Sequence, residues 1–419
     1  MREMKDSGVE WIGEIPSNWG ILPLARILAE HSRKNLGNVE QNVLSLSYGN
    51  IIRRDVTDNM GLIPESFETY NIIEPGHIVL RLTDLQNDQR SLRTGLVKER
   101  GIITSAYLTL VSKLELDSRY FHFLLHTYDV MKIIYNMGNG VRQNLKFSEL
   151  AKLPLPIPAI KDQHRIADYL DAKCAQIDRA IARQQEVIEK LKEYKLSVIT
   201  EAVTKGLNPD VPMKDSGIEW IGEIPEGWDL KKLQAHTTML TPMRDRPEDL
   251  DGDIPWIRIE DYCGKYINES KEQLGVSLET IKAMNLKVYP VGTILCTSSC
   301  DLGKCAIVGR ELVSNQRFIG IIPDENTSSD FLYYLMLSNA TRLNHLSTGT
   351  IQANLSRVAF EHLMVQFPCL GEQHEIADYL DRRCLVIDNS IDQTDAIVNK
   401  LTEYKKSLIY EVVTGKREV

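Results

Sequence analysis

Met4 to Trp19 reads MKDSGVEWIGEIPSNW, and Met213 to Trp228 reads MKDSGIEWIGEIPEGW, the same segment 209 positions later. Two further pairs keep almost the same offset. Asp162 to Asp178 (DQHRIADYLDAKCAQID) returns as Glu372 to Asp388 (EQHEIADYLDRRCLVID), and Lys190 to Gly206 returns as Lys400 to Lys416. Between these echoes the sequences diverge. Each half therefore consists of a variable globular stretch of roughly 150 residues followed by a repeated helical stretch of roughly 45.

A chain of 419 residues is long enough for two such units, each burying its own core. The apolar fraction of 43% and charged fraction of 26% are those of a water-soluble globular protein, and no apolar run has the length of a membrane span. The N-terminal stretch lacks the apolar run of a signal peptide. Seven cysteines in no framework spacing point to reduced thiols, so the expected compartment is the cytoplasm. A net charge of −9 argues against a uniformly basic nucleic-acid coat, because sequence-independent DNA affinity comes from neutralised phosphates. Any polyanion contact must be local or shared with a partner.

The copied opening is divided by Gly8, Gly13 and Pro16 and reads as turns around an apolar plug of Trp11, Ile12, Ile15 and Trp19. Val43 to Ser47, Ile72 to Leu82 and Ile102 to Val111 are β-branched runs between turn residues, hence strands. Tyr120 to Tyr135 has helical apolar spacing. Pro154, Pro156 and Pro158 force an extended exit from this first head. A short helix is then expected from Asp162 to Lys173 and a longer one from Gln176 to Thr204, about 45 Å long.

The longer helix carries a seam at alternating steps of four and three: Ile177, Ile181, Gln184, Ile188, Leu191, Lys195 and Val198. Its repeat gives Ile387, Ile391, Thr394, Val398, Leu401, Lys405 and Leu408, with polar residues at the same two places. Matching seams predict that the two helices pair antiparallel within the chain, the polar positions fixing register at some cost in stability. A dimer of separate chains through the same seam is the alternative.

The second head contains Ile254 to Tyr262, Val291 to Gly309, Val313 to Pro323, Phe331 to Ser338 and Thr348 to Arg357. The last aligns with Asn139 to Phe147, matching Asn144 to Asn354 and Leu145 to Leu355. The order GTIL, LGKCAIV, SNQRF, TGTIQANL, a proline-containing exit, EQHEIADYLD and a long helix ending EVVTG resembles the specificity subunit of type I restriction-modification systems. The similarity covers essentially the full chain. The first head departs from it, with LRTGLVK and ITSAY where the second has LGKCAIV and SNQRF.

The resemblance implies an α+β chain with a pseudo-two-fold repeat: a first target recognition domain (1–158), a central helical spacer (159–205), a second target recognition domain (206–368) and a C-terminal helical spacer (369–419). It also implies double-stranded DNA as ligand, two methyltransferase subunits docked on the helical repeats, and a separate ATP-dependent restriction subunit. S-adenosylmethionine and ATP with magnesium are then expected only in those partners, and none in this chain. The long helices act as a ruler: a 45 Å rod corresponds to roughly thirteen base pairs.

Searching for catalytic chemistry in this chain yields little. There is no G-x-x-x-x-G-K-[ST] phosphate loop and no Asp/Asn-Pro-Pro-aromatic motif; Asn208-Pro209-Asp210 reads as a turn. Cys296, Cys300 and Cys305 lack a fourth ligand at metal spacing, so no metal is expected. His164 and His374 repeat without a nucleophile or carboxylate and read as first-turn helix residues, beside Asp162 and Glu372, which complement the helix dipole. Tyr169, Asp171 and Lys173, with Tyr379, Asp381 and Arg383, are the expected partner-binding face.

Reading bases in a major groove calls for Arg or Lys toward guanine and Asn or Gln toward adenine, with hydroxyls and cations on phosphates. In the first head the candidates are Arg53, Arg54, Arg81, Arg90, Arg93 and Arg142. In the second they are Thr297, Ser298, Ser299, Lys304, Asn315, Gln316, Arg317 and Gln352. Asn144 and Asn354 align across heads that should read different bases and are expected to be structural. The expected function is non-catalytic recognition of a bipartite, asymmetric DNA site, one half per head. The alternative is a two-headed protein-interaction adaptor with a coiled-coil hinge.

Overall fold

The computed structural model describes residues 2–54, 66–85, 92–137, 144–242, 246–299, 303–346 and 355–419. Four helices organise it: α1 (Ser118–Val130), α2 (Ile160–Lys205), α3 (Ser329–Ser338) and α4 (Leu370–Val413). The expected break after Lys173 does not occur, and α2 runs unbroken for 46 residues. The physical reason is plain: Cys174 and Ala175 lie where the break was placed, and neither glycine nor proline interrupts the run. The rod assumed for the ruler is therefore too short as an element length.

The chain forms two compact units, Met1–Gln185 with Ala396–Val419, and Glu186–Asp395. Each contains one head and a stretch of both long helices. In the first unit the sheet order is Leu28–His31, Leu108–Ser112, Ile78–Leu80, Thr94–Leu96, all antiparallel. The second repeats it with Thr237–Leu240, Phe318–Pro323, Ile294–Thr297 and Cys305–Val308, adding Tyr266–Ile267 in parallel at the edge. The proline-containing exits are strands: Pro154–Ile157 pairs with Gly20–Pro23, and Met364–Phe367 with Asp229–Lys232.

In the first unit α1 buries Tyr120, Phe121, Leu124 and Leu125 against that sheet, in a core shared with Ile166, Leu170, Cys174 and Ile177 of α2 and Leu408, Ile409, Val412 and Val413 of α4. The start of α2 thus meets the end of α4, which makes the pair antiparallel. The second unit has the converse arrangement: Val198, Ile199, Ala202 and Val203 at the end of α2 pack with Ile376, Leu380 and Cys384 at the start of α4. Of the seam residues, Ile177, Ile188, Val198, Ile387 and Leu408 are buried, and Ile181, Leu191, Ile391, Val398 and Leu401 are partly buried. The polar seam lysines meet carboxylates on the opposing helix. Lys405 binds Asp178 at 2.7 Å in the first unit, and Lys195 binds Asp388 at 2.7 Å in the second.

The copied segments plug the far ends of the long helices. Helix α2 stops at Gly206 and α4 just before Gly415, each with φ of +75°, the left-handed turn that glycine adopts without a Cβ penalty. A Cβ on Gly415 would lie 2.4 Å from the ring of Pro16, and one on Gly206 would lie 3.2 Å from Trp228. In the first unit Tyr410 adds a hydrogen bond to the Trp11 carbonyl at 3.3 Å.

The repeated glutamines, paired with no role by sequence, fasten each head to its helix. Gln163 accepts the Asp117 N–H at 3.1 Å and donates to the Pro158 carbonyl at 2.9 Å. Gln373 accepts the Ser328 N–H at 2.8 Å and donates to the Pro368 carbonyl at 2.9 Å. Asp117 and Ser328 are the N-caps of α1 and α3, so one side chain satisfies a buried amide at the same point in both units.

Candidate nucleic-acid interface

In the second head the candidates gather where three strands end together. Strand pairing sets Cys296 opposite Cys305 and Thr297 opposite Phe318. Beyond the ladder the Thr297 N–H donates to the Lys304 carbonyl at 3.0 Å, the Ser298 N–H to the Arg317 carbonyl at 2.8 Å, and the Leu355 N–H to the Ser298 carbonyl at 2.8 Å. Three segments distant in sequence thus converge on Ser298. Lys304, Gln316 and Arg317 are exposed there, with Ser298, Ser299 and Asn315 half-buried. The Asn315 side chain accepts the Arg317 N–H at 3.0 Å, a local turn that shapes the loop. Thr297 corrects an expectation: it is completely buried in the strand, so it supports the loop and cannot reach a base edge.

The first head repeats this backbone pattern with other side chains. The Arg81 N–H donates to the Arg93 carbonyl at 2.9 Å, and the Leu145 N–H to the Leu82 carbonyl at 2.9 Å. Arg81 therefore stands where Thr297 stands, Leu82 where Ser298 stands, and Arg93 where Lys304 stands. Arg81 is half-buried. Arg93 is a second correction, because its side chain is completely buried. A guanidinium can be desolvated only when its donors are matched. Here it donates to the carbonyls of Arg81 (3.2 Å), Thr83 (2.7 Å) and Asp84 (3.1 Å) and to the Tyr135 hydroxyl (3.0 Å). Tyr135 in turn donates to the buried Asp129 carboxylate at 3.1 Å. Burial pushes the Asp129 carboxyl up, and Tyr135 up to about 12.

Arg53 and Arg54 are exposed at the end of the hairpin Leu44–Ser47 and Asn50–Arg53. Arg53 grips Glu99 with its Nε 2.9 Å from Oε1, a surface pair of little energetic weight. Arg90, Arg142 and Gln352 lie outside the described residues, as do Cys300 and Asn354. Asn144 accepts the Asp84 N–H at 2.8 Å. Sequence reading missed Asp129 and Tyr135; the signal was an acidic residue on the apolar face of the predicted helix.

The expected partner-binding residues divide. Asp171 binds Arg119 at 2.9 Å, alongside Asp168 at 2.7 Å; Asp381 binds Lys265 and the Tyr334 hydroxyl, each at 2.6 Å. These carboxylates fasten each head to a long helix, which the sequence did not anticipate. Tyr169 and Tyr379 pack partly buried against the cores. Lys173 contacts Gln176 at 3.3 Å and Arg383 contacts the Tyr194 hydroxyl at 3.0 Å, both on exposed surface.

His164 lies 2.7 Å from Asp117 through Nδ1. Burial pushes the Asp117 carboxyl up, but hydrogen bonds from Arg119 and His164 outweigh it and leave the group below its ordinary value. Cys296 and Cys305 are buried, and burial pushes the Cys296 thiol up. Among the described residues no grouping of His, Cys, Asp and Glu could hold a metal ion, and no helix is long and apolar enough to cross a membrane.

Comparison with known proteins bears on what such loops serve. A family model, the type I restriction modification DNA specificity domain, matches residues 92–193 and 229–403. The chain belongs to this DNA specificity family. It is 30% identical over 204 residues to the type I restriction enzyme MjaIX specificity subunit of Methanocaldococcus jannaschii, a match covering 47% of each chain. To the MjaVIII specificity subunit of the same organism it is 25% identical over 339 residues, covering 77% of this chain and 75% of that one. The match thus spans about half the length of the first relative and three quarters of the second. Among solved structures, a chain from a study of complex assembly and conformational transition of the type I R-M system has a TM-score of 0.71 at 12% identity. That likeness covers 96% of this chain and 99% of the other. The likeness is one of fold, and it spans both heads and both long helices.

Proposed function

We propose that this member of the specificity family reads DNA for a type I restriction-modification complex, each head addressing one half of a bipartite, asymmetric site. The observation that carries the reading is the shared backbone frame at the strand ends. Two equivalent hydrogen bonds, Thr297 to Lys304 with Leu355 to Ser298 and Arg81 to Arg93 with Leu145 to Leu82, hold the loops, while the side chains on them differ from head to head. A constant frame with variable side chains is what two different half-sites require.

In this reading the chain is non-catalytic. Two methyltransferase subunits dock on the helical repeats and supply S-adenosylmethionine chemistry, a separate subunit consumes ATP with magnesium, and the complex acts in the cytoplasm. The long helices set the spacing between half-sites. The acidic chain leaves part of the phosphate grip to those partners.

The test is binding by the full chain co-purified with its methyltransferase subunits, using a library of duplexes with randomised positions. One bipartite sequence should be enriched, with affinity falling steeply as salt rises. Lys304→Ala and Arg317→Ala should each weaken binding by about 1–3 kcal/mol and relax preference in one half-site alone. Salt-independent binding, or no enriched sequence, would overturn the reading in favour of a protein adaptor.

A further inference from the structure

The loop from Arg81 to Asp84 in the first head is held from two sides. From within, the buried Arg93 guanidinium takes the carbonyls of Arg81, Thr83 and Asp84, leaving its Nε to Tyr135. From the other side, the Leu145 N–H takes the Leu82 carbonyl and the Asn144 side chain takes the Asp84 N–H. Every residue of the loop therefore has a backbone group pinned. Asp84 is held at φ of +57°, a left-handed conformation uncommon for a residue with a Cβ. Strain of this kind persists only where the surroundings impose it, and it concentrates at sites whose shape matters.

Among the described residues the second head repeats the outer backbone bond, Leu355 N–H to the Ser298 carbonyl, but not the buried guanidinium. Its equivalent of Arg93 is Lys304, whose side chain is exposed at the surface. A buried arginine is a costly way to build a turn. Its planar fork holds several acceptors in fixed, diverging directions, whereas the three donors of a lysine converge on one nitrogen at the end of a flexible stem.

Resting on the DNA-reading assignment above, we infer that Arg93 is a positioning residue for specificity, with Asn144 as its partner across the loop. It touches no DNA. It presets the Arg81–Asp84 loop so that the first head meets its half-site in one conformation. A preset loop lets binding energy be spent on discriminating bases, because ordering is not left to the moment of contact.

The experiment uses the full chain in its complex with co-expressed methyltransferase subunits and the same randomised duplex library. Arg93→Lys keeps the charge but has three donors on one nitrogen, too few to serve the three carbonyls and the Tyr135 hydroxyl together. Asn144→Ala removes the outer clamp at an exposed position where folding should tolerate the change. Both variants should lose about tenfold in base preference within one half-site, and keep the wild-type preference in the other. The half-site affected should be the one that Lys304→Ala leaves alone. The dependence of affinity on salt should match wild type for both, because no phosphate contact is lost.

A role in stability alone predicts a lower Tm with both half-site preferences intact, and that result overturns the assignment. So does equal loss in both half-sites, or a reduced salt slope, which would make Arg93 a phosphate contact. If Arg93→Lys does not fold, the profile of Asn144→Ala decides between these outcomes. A wild-type chain that enriches no sequence defeats the underlying DNA reading and this inference with it. A wild-type bipartite site with unchanged variants defeats this inference alone.

Discussion

At the same place in the same sheet, the first unit turns an arginine inward and the second leaves a lysine at the surface. Three other equivalent pairs diverge in a similar way. Trp228 donates its indole N–H to Glu372 at 2.9 Å, whereas the Trp19 indole nitrogen is buried without a partner among the described residues. The residue equivalent to Glu372 is Asp162, one methylene shorter, and it binds Arg165 at 2.9 Å. Helix α1 carries His122 and His126 where α3 carries Tyr333 and Leu337. A Cβ on Gly415 would come within 2.4 Å of the Pro16 ring, whereas one on Gly206 would stay 3.2 Å from Trp228 and Glu372. Duplication preserved the points that join head to helix, the glutamines above all, and let the remaining interior of each unit solve its packing separately.

Breaking the shared joint should give the largest effect. Gln163→Leu leaves the Asp117 N–H and the Pro158 carbonyl buried without partners, at about 1–3 kcal/mol for each group. Gln373→Leu should cost a similar amount in the second unit. Hydrogen exchange on the full chain should show each substitution loosening its own helix, α1 or α3. Equal loosening of both helices by either one would contradict the independence of the two joints.

Next in size is the contrast between the terminal glycines. Gly206→Ala should cost about 1 kcal/mol for an alanine at positive φ. Gly415→Ala adds a collision with the Pro16 ring and should cost about 2–3 kcal/mol. Denaturant midpoints rank the two, and the reverse order would show that the plug yields more easily than the helix end.

Asp162→Glu should stabilise the first unit by about 1 kcal/mol, by extending a carboxylate to the Trp19 indole as Glu372 does for Trp228. An unchanged midpoint would show that the two joints differ in more than that one methylene.

The last prediction sets the two helices apart by pH. Burial lowers His122 to about 3 and His126 to about 4. Both are ordinary in the unfolded chain, so between pH 6.5 and about 4 the unfolded state binds more protons and stability falls with acidification. Protection of α1 should decline over that window relative to α3, and His122→Phe with His126→Leu should flatten the difference. Parallel titration of both helices in the wild-type chain would remove the histidines as its cause.

The repeat made much of this architecture legible. Two copies of a helix with matching seams announced an antiparallel pair, and the copied EWIGEIP announced a plug. What stayed hidden depends on side chains meeting across the fold. Arg93 and Arg53 look alike in a sequence, and only the sheet shows that one is enclosed by carbonyls while the other lies in water. Asp171 and Asp381 repeat like docking residues, but they face Arg119 and Lys265, residues from unlike segments of two divergent heads. The break placed after Lys173 followed the boundary of a repeated motif, but neither glycine nor proline stands there to stop the helix, which runs on to Lys205, just before Gly206.

One feature of the first unit bears on how the molecule is made. Its plug at Trp11 and Pro16 rests on Tyr410 and Gly415, and Tyr120 donates to the Val413 carbonyl at 3.0 Å. The second unit is a single contiguous segment, Glu186–Asp395, whereas the first needs Ala396–Val419 to be complete. On the ribosome the usual order is therefore inverted: the head translated first waits longest for its last core residues, and the later one can close before it. The first head spends most of synthesis with an apolar face uncovered, the interval in which it is most exposed to aggregation and proteolysis.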